Sequence, residues 1–212
     1  MENKKIRVAI THGDTNGVGY ELIFKTFAEP EMLELCTPII YGSPKIAAYH
    51  RKALDIQANF TIINDAREAH DGKVNLLPCF DDEVKVDLGT PTPESGLAAL
   101  RALDKAMTDF RDGAFDVLVS CPLSSDNIHD DGFNFPGLTK YVETCLGDGN
   151  KAMEIMLSEE MRVAVEASGT SIKDVAGKLS QEGIISSVKA ISASAHRDFG
   201  LSNARVAVLA LN

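Results

Sequence analysis

Short runs of β-branched and other apolar residues alternate along the chain with stretches whose apolar positions recur every three or four residues. The runs at 6–11, 38–41, 60–63, 74–77, 116–120, 162–166 and 205–211 predict strands. Several are almost continuously apolar, as in a parallel sheet with helices on both faces. Between them, 21–28, 44–54, 93–110 and 184–199 predict helices. Ser43 before Pro44, and Thr92 before Pro93, are start signals: a hydroxyl at the cap, then a proline at the first helical position. Leu97, Leu100, Leu103, Met107 and Phe110 mark one apolar helix face, and Ile184, Val188, Ile191, Ala195 and Phe199 another. Gly113 and Gly200 follow their ends. Residues 151–166 suit either a hairpin or a helix followed by a strand.

This alternation predicts the α/β class. The Gly/Asp-rich stretch from Leu146 to Asn150 is the candidate boundary. It divides the chain into a first α/β domain, 1–146, and the start of a second, 147–212, expected to be incomplete. The closing ARVAVLALN has six apolar residues among its last eight and predicts a buried strand. A chain that stops at the end of such a strand is expected to be a fragment, or to have the exposed edge covered by another subunit.

Composition narrows the picture a little. The chain has 212 residues, 44% of them hydrophobic and 25% charged, enough to bury a core without disulfides or metal. The net charge of −10 argues against nucleic acid and anionic membrane as partners, because both need a basic face. No apolar stretch approaches the ~20 residues of a membrane span, and no signal peptide is expected. Cys36, Cys79, Cys121 and Cys145 are too far apart for a CxxC pair or a zinc knuckle, and read as free thiols of a reducing cytoplasm.

The candidate chemistry begins with ITHGDTNGVGYEL, residues 10–22: a strand, a turn with three glycines, then a helix. Glycines allow close backbone approach, and a helix start offers free N–H groups to an anion. The spacing departs from the common motifs. No lysine and hydroxyl follow as in a Walker A loop, and Leu22 stands where GxGxxG needs its third glycine. Nucleotide binding and a merely flexible strand-to-helix connection both remain open on these residues alone.

Three stretches taken together, ITHGDTNGVGYEL, VLVSCPLSSDNIHDDGFNFPGLTKYVE at 117–143 and ARVAVLALN, resemble the 4-hydroxythreonine-4-phosphate dehydrogenase family of vitamin B6 biosynthesis in order and spacing. The resemblance runs over the whole chain. It implies a fold similar to the isocitrate and isopropylmalate dehydrogenases, a mostly parallel sheet with helices on both faces, with the C-terminal part missing here. It also implies a cytoplasmic homodimer that uses NAD and a divalent metal (zinc, magnesium or cobalt) to oxidise and decarboxylate a phosphorylated hydroxy amino acid, 4-phosphooxy-L-threonine. Gly13, Asp14, Gly17 and Gly19 are then the expected cofactor-binding positions, and Leu138 and Thr139 the expected substrate-binding ones.

The departures fall where function would be carried. Thr15 and Tyr20 replace two family prolines, Ser125 stands at a lysine position, and Lys140 at a glutamate position. Leu138 stands where the family has a histidine beside Thr139, and Gly169 where it has its first metal histidine. No metal site is therefore expected in this chain. His129, Asp130 and Asp131 are the one compact His/Asp cluster, and they read as a solvated turn. His196 reads as a surface residue near a helix C-terminus, and His12 as a loop residue that could touch a ligand. His50 and His70 have no partner pattern. Three functions stay open: the family's dehydrogenase, a catalytically degenerate paralogue or fragment acting as a binding or dimerisation module, and an enzyme for a different phosphorylated hydroxy acid.

Overall fold

A computed structural model describes residues 5–80, 84–128, 137–149 and 151–211. The chain divides into two compact units, Met1–Phe135 and Pro136–Asn212.

The first unit is built on strands β1 (Ile6–Thr11), β2 (Cys36–Gly42), β3 (Thr61–Ile62), β4 (Asn75–Pro78) and β5 (Val117–Ser120). They pair in the order β3-β4-β2-β1-β5, every pair parallel. Four helices connect them, α1 (Gly19–Thr26), α2 (Met32–Leu35), α3 (Pro44–Ala53) and α4 (Pro93–Arg111), together with a 3-10 turn at Ala66–Glu68, and α5 (Ser125–Ile128) follows β5. This is the α/β fold that the alternating pattern predicts. Side chains of a strand alternate between the two faces of the sheet. Ile10, Ile40 and Leu76 pack with Tyr20, Ile23 and Phe24 of α1 and with Ile46 and Ala47 of α3. The intervening residues Ala9, Ile39, Tyr41 and Leu77 are buried as well. On their side the Tyr41 hydroxyl donates to Asp109 of α4 at 2.9 Å, and Tyr41 meets Phe115 edge to face. Helices therefore cover both faces, which is why these strands need no polar alternation.

The helix starts follow their cap chemistry. Ser43 accepts from the Ile46 N–H, and Thr92 and Ser95 form a reciprocal capping box at the head of α4. Both prolines sit in the first turn.

The second unit contains α6 (Leu138–Leu146), an antiparallel hairpin of β6 (Ile155–Leu157) and β7 (Arg162–Ala164), α7 (Ile172–Lys178) and α8 (Gln181–Arg197). The hairpin settles the ambiguity at 151–166. Its turn is closed by Ser158, which accepts from the Met161 N–H and whose own N–H donates to the Met161 carbonyl. The sequence pattern sets 138–146 at the end of the first domain and assigns it no helix; in the structure α6 lies with the second unit. Short α2 and α7 are not predicted either, because neither presents two turns of apolar periodicity.

One strand expectation is corrected. Residues 205–211 form no strand and are exposed, Val208 at 62% and Leu209 at 89%. An apolar run becomes a strand only against a neighbouring strand, and none of the described strands pairs with it.

Candidate functional site

In an open parallel sheet, ligands bind beyond the carboxyl ends of the strands, where successive connections leave in opposite directions. Here the chain runs from β1 to β2 on one side, whereas the connection through α4 places β5 on the other side of β1. The switch point of this sheet is therefore flanked by the segments leaving β1 and β5: the glycine turn 12–18 and residues 121–128.

These two segments are tied together at the backbone. The Cys121 N–H donates to the Thr11 carbonyl at 3.0 Å, and the Asp14 N–H to the Pro122 carbonyl at 3.0 Å. Gly13 has φ +71°, and a Cβ there would lie 2.3 Å from the Pro122 oxygen. A Cβ at Gly19 would lie 1.9 Å from the His12 carbonyl oxygen. Both glycines are thus required by the contact of the chain with itself. Gly17 differs: its φ is not left-handed, and a Cβ would meet only Asp14 atoms at 3.4 and 3.5 Å, an ordinary contact. No side chain caps the first turn of α1.

Asp14 is 8% exposed. Its Oδ1 accepts from the Asn16 N–H at 2.8 Å, and its Oδ2 accepts from Asn127 Nδ2 at 2.8 Å. Asn127 Nδ2 also donates to Ser95 Oγ at 2.8 Å. Asn16 extends the same network. Its Nδ2 donates to the Thr90 carbonyl at 2.8 Å, its Oδ1 accepts from the Asp87 N–H at 2.8 Å, and its own carbonyl accepts from the Gly89 N–H at 2.9 Å. The glycine turn, the loop 87–92, the head of α4 and α5 are consequently one hydrogen-bonded unit. Sequence reasoning did not find Asn16, Ser95 or Asn127. Thr92 and Ser95 carry only a capping signal, and nothing in the spacing of Asn127 points back to Asp14.

Beneath the turn lies an aromatic stack. The His12 ring stacks on Tyr20 with centroids 5.3 Å apart, Phe80 meets it edge to face at 5.8 Å, and His50 flanks Tyr20 at 5.2 Å. His12 is a loop residue, as its position suggests, but a fully buried one, and neither ring nitrogen has a hydrogen-bond partner among the described residues. Burial pushes its pKa down to about 4, so the ring is neutral at ordinary pH. His50 Nε2 lies 2.8 Å from the Thr15 carbonyl, which fixes that nitrogen as the N–H donor. The Tyr20 hydroxyl accepts from the Ser43 N–H at 2.9 Å, and burial raises its pKa above the usual range. Burial also pushes the Cys121 thiol up to about 11 and Cys79 up to about 12, so neither presents a thiolate nucleophile.

The remaining expected positions lie in the second unit. Leu138 is the first residue of α6 and half-buried, and Thr139 beside it is exposed. Gly137 precedes them, and no side chain caps this helix. Gly169 sits in the turn after β7 with φ +67°, and a Cβ there would meet nothing within 4 Å. His196 is in the last turn of α8, as its reading predicts. His129, Asp130 and Asp131 lie outside the described residues. Among the described residues no three His, Cys, Asp or Glu side chains converge as a metal would require.

Residues 34–212 match the family described as pyridoxal phosphate biosynthetic protein PdxA. The chain belongs to that family. A 4-hydroxythreonine-4-phosphate dehydrogenase of Bacteroides thetaiotaomicron is 49% identical over 212 residues, which is 100% of this chain and 58% of the relative. The Sulfurihydrogenibium enzyme of the same name is 28% identical over 98% of the chain and 63% of its own length. The chain thus spans about three fifths of the length of these PdxA relatives. A crystal structure of a 4-hydroxythreonine-4-phosphate dehydrogenase from Burkholderia phymatum superposes with a TM-score of 0.79 at 22% identity, covering 96% of this chain and 62% of that one. That likeness establishes the PdxA fold for the described part. Among the described residues no helix is long and apolar enough to cross a membrane.

Proposed function

We propose that the chain carries the switch-point crevice of an NAD-dependent dehydrogenase acting on a phosphorylated hydroxy amino acid, 4-phosphooxy-L-threonine, in pyridoxal phosphate biosynthesis. Membership of the PdxA family carries this reading, and the place of the glycine turn at the switch point of the parallel sheet supports it. NAD, when bound, supplies the acceptor for the substrate's hydride. The chain's own part is positional. Gly17 leaves the rim of the turn open to a ligand's approach, and the uncapped start of α1 leaves N–H groups for a phosphate. Gly13, Asp14 and Gly19 hold that rim in place. Thr139, exposed on the first turn of α6, offers a hydroxyl to the substrate. Homodimerisation in the cytoplasm belongs to the same reading.

Two residues favour a second reading, a catalytically degenerate paralogue or fragment acting as a binding or dimerisation module. Leu138 cannot donate or accept a hydrogen bond, and Gly169 offers no ligand. One experiment separates the two. Purified chain is mixed with 4-phosphooxy-L-threonine, NAD and Mg²⁺, Zn²⁺ or Co²⁺, and NADH absorbance is followed. Turnover supports the dehydrogenase. NAD binding by calorimetry without turnover supports a degenerate binding module and refutes catalysis by this chain.

A further inference from the structure

Asp14 has the residue type of a cofactor-ribose acceptor, and the turn around it is expected to bind a cofactor. Its surroundings point elsewhere. One carboxylate oxygen is taken by the Asn16 N–H, closing a local turn, and the other by Asn127 Nδ2 across the crevice. The residue is almost wholly buried. The backbones on both flanks of this bond are in direct apposition. On one side the Asp14 N–H reaches the Pro122 carbonyl, over a Gly13 that a Cβ would drive into that oxygen. On the other, a Cβ at Gly96 would lie 1.9 Å from the Asn127 carbonyl oxygen, so α5 rests on the head of α4 with no room to slide. Asn127 spends its amide on both neighbours, Asp14 and Ser95.

We propose that Asp14 and Asn127 form an internal strut that fixes the spacing of the two crevice walls, so that Asp14 is a positioning residue and a ligand at this turn meets backbone groups instead of its carboxylate. This deepens the function proposed above but rests on geometry that needs no ligand.

The test is an exchange of the two side chains. Asp14→Asn leaves two amides in contact, and Asn127→Asp sets two buried carboxylates against each other. The double variant Asp14→Asn/Asn127→Asp restores one donor to one acceptor, with the Ser95 hydroxyl turning to donate to the new carboxylate. Amide hydrogen exchange is read at residues 12–19 and 121–124, against β2 and α3 as internal controls. Each single variant is expected to speed exchange there by about tenfold while the controls hold, as expected for loss of a buried charge-assisted bond. The double variant is expected to return to within about threefold of the parent. Single variants that leave the turn unchanged overturn the strut, as does a double variant that fails to recover. If the single variants do not fold, a folded double variant supports the strut and an unfolded one overturns it. Calorimetry with NAD adds a second arm. Equal affinity of parent and double variant supports the positioning role, whereas loss in a double variant with parental exchange shows that the carboxylate touches the ligand, and overturns it. A parent that does not bind NAD counts against the proposed function only, and the exchange rates still decide the strut.

Discussion

The glycine turn separates glycines that the protein needs for itself from one that it does not, and the difference is measurable. A methyl group added at Gly19 would lie 1.9 Å from the His12 carbonyl oxygen, 3.0 Å from its carbon and 3.1 Å from Cys121 Cβ. Such atoms normally meet near 3.5 Å. Two of the three belong to backbone at the end of β1, so no side-chain rotation relieves the clash. Either α1 must draw back from the sheet or the turn must open. Gly19→Ala is therefore expected to cost about 3–4 kcal/mol, beyond usual overpacking, and to lower the thermal midpoint by about 10 °C. At Gly17 the same methyl meets Asp14 at 3.4 and 3.5 Å, and the backbone there is not left-handed. Gly17→Ala is expected to change stability by no more than about 0.5 kcal/mol, since lost unfolded-state freedom offsets any crowding. Thermal unfolding followed by circular dichroism compares the two. Equal losses, or a Gly19→Ala protein as stable as the parent, would refute the packing argument. Because Gly17→Ala keeps the fold, weakened NAD binding in that variant would report the site itself.

Further outcomes follow from other buried groups. The folded pKa of His12, about 4, lies below its unfolded value of 6.5. Its contribution to stability is thus complete above about pH 6.5 and is lost as pH falls towards 4, by about 3 kcal/mol in all; denaturant titrations of His12→Leu should show a shallower acid limb. Tyr41→Phe removes the 2.9 Å bond to Asp109, which keeps Lys105 at 2.6 Å, and is expected to cost about 1–2 kcal/mol in urea unfolding. Gly169→His puts a side chain into open space at φ +67° and is expected to cost about 1 kcal/mol in urea unfolding, the strain of a left-handed backbone and not a clash.

The fold of the first unit was legible because its signals are local and agree with one another. The strand runs at 6–11 and 116–120, and the caps at Ser43 and Thr92, lie in the structure within a residue or so of where the pattern puts them. Legibility failed where a partner decides. Residues 205–211 have the composition of a strand, but their state depends on a neighbouring strand that periodicity does not report. The helix α6 carries a full apolar stripe, Leu138, Tyr141, Val142, Cys145 and Leu146, but its glycine cap gives no hydroxyl start signal.

The site shows the same division more sharply. Gly13 and Gly19 stand out in the sequence as nucleotide-loop residues, yet the structure accounts for both through contacts of the chain with itself, at the Pro122 oxygen and the His12 carbonyl. A glycine-rich turn can therefore look like a binding motif because it is a packing motif. The two are distinguished by what a Cβ would strike. By that criterion, of the turn's three glycines Gly17 alone has its missing side chain unexplained by packing, and ligand contact at the turn has the clearest opening there. Asn127 makes the converse case. It belongs to no motif, but its side chain joins the turn to α5 and the head of α4, beside the backbone bonds at Cys121 and Pro122. Whatever the crevice binds, its shape depends on an asparagine that lies 113 residues from Asp14 in the chain, beyond the reach of any local pattern.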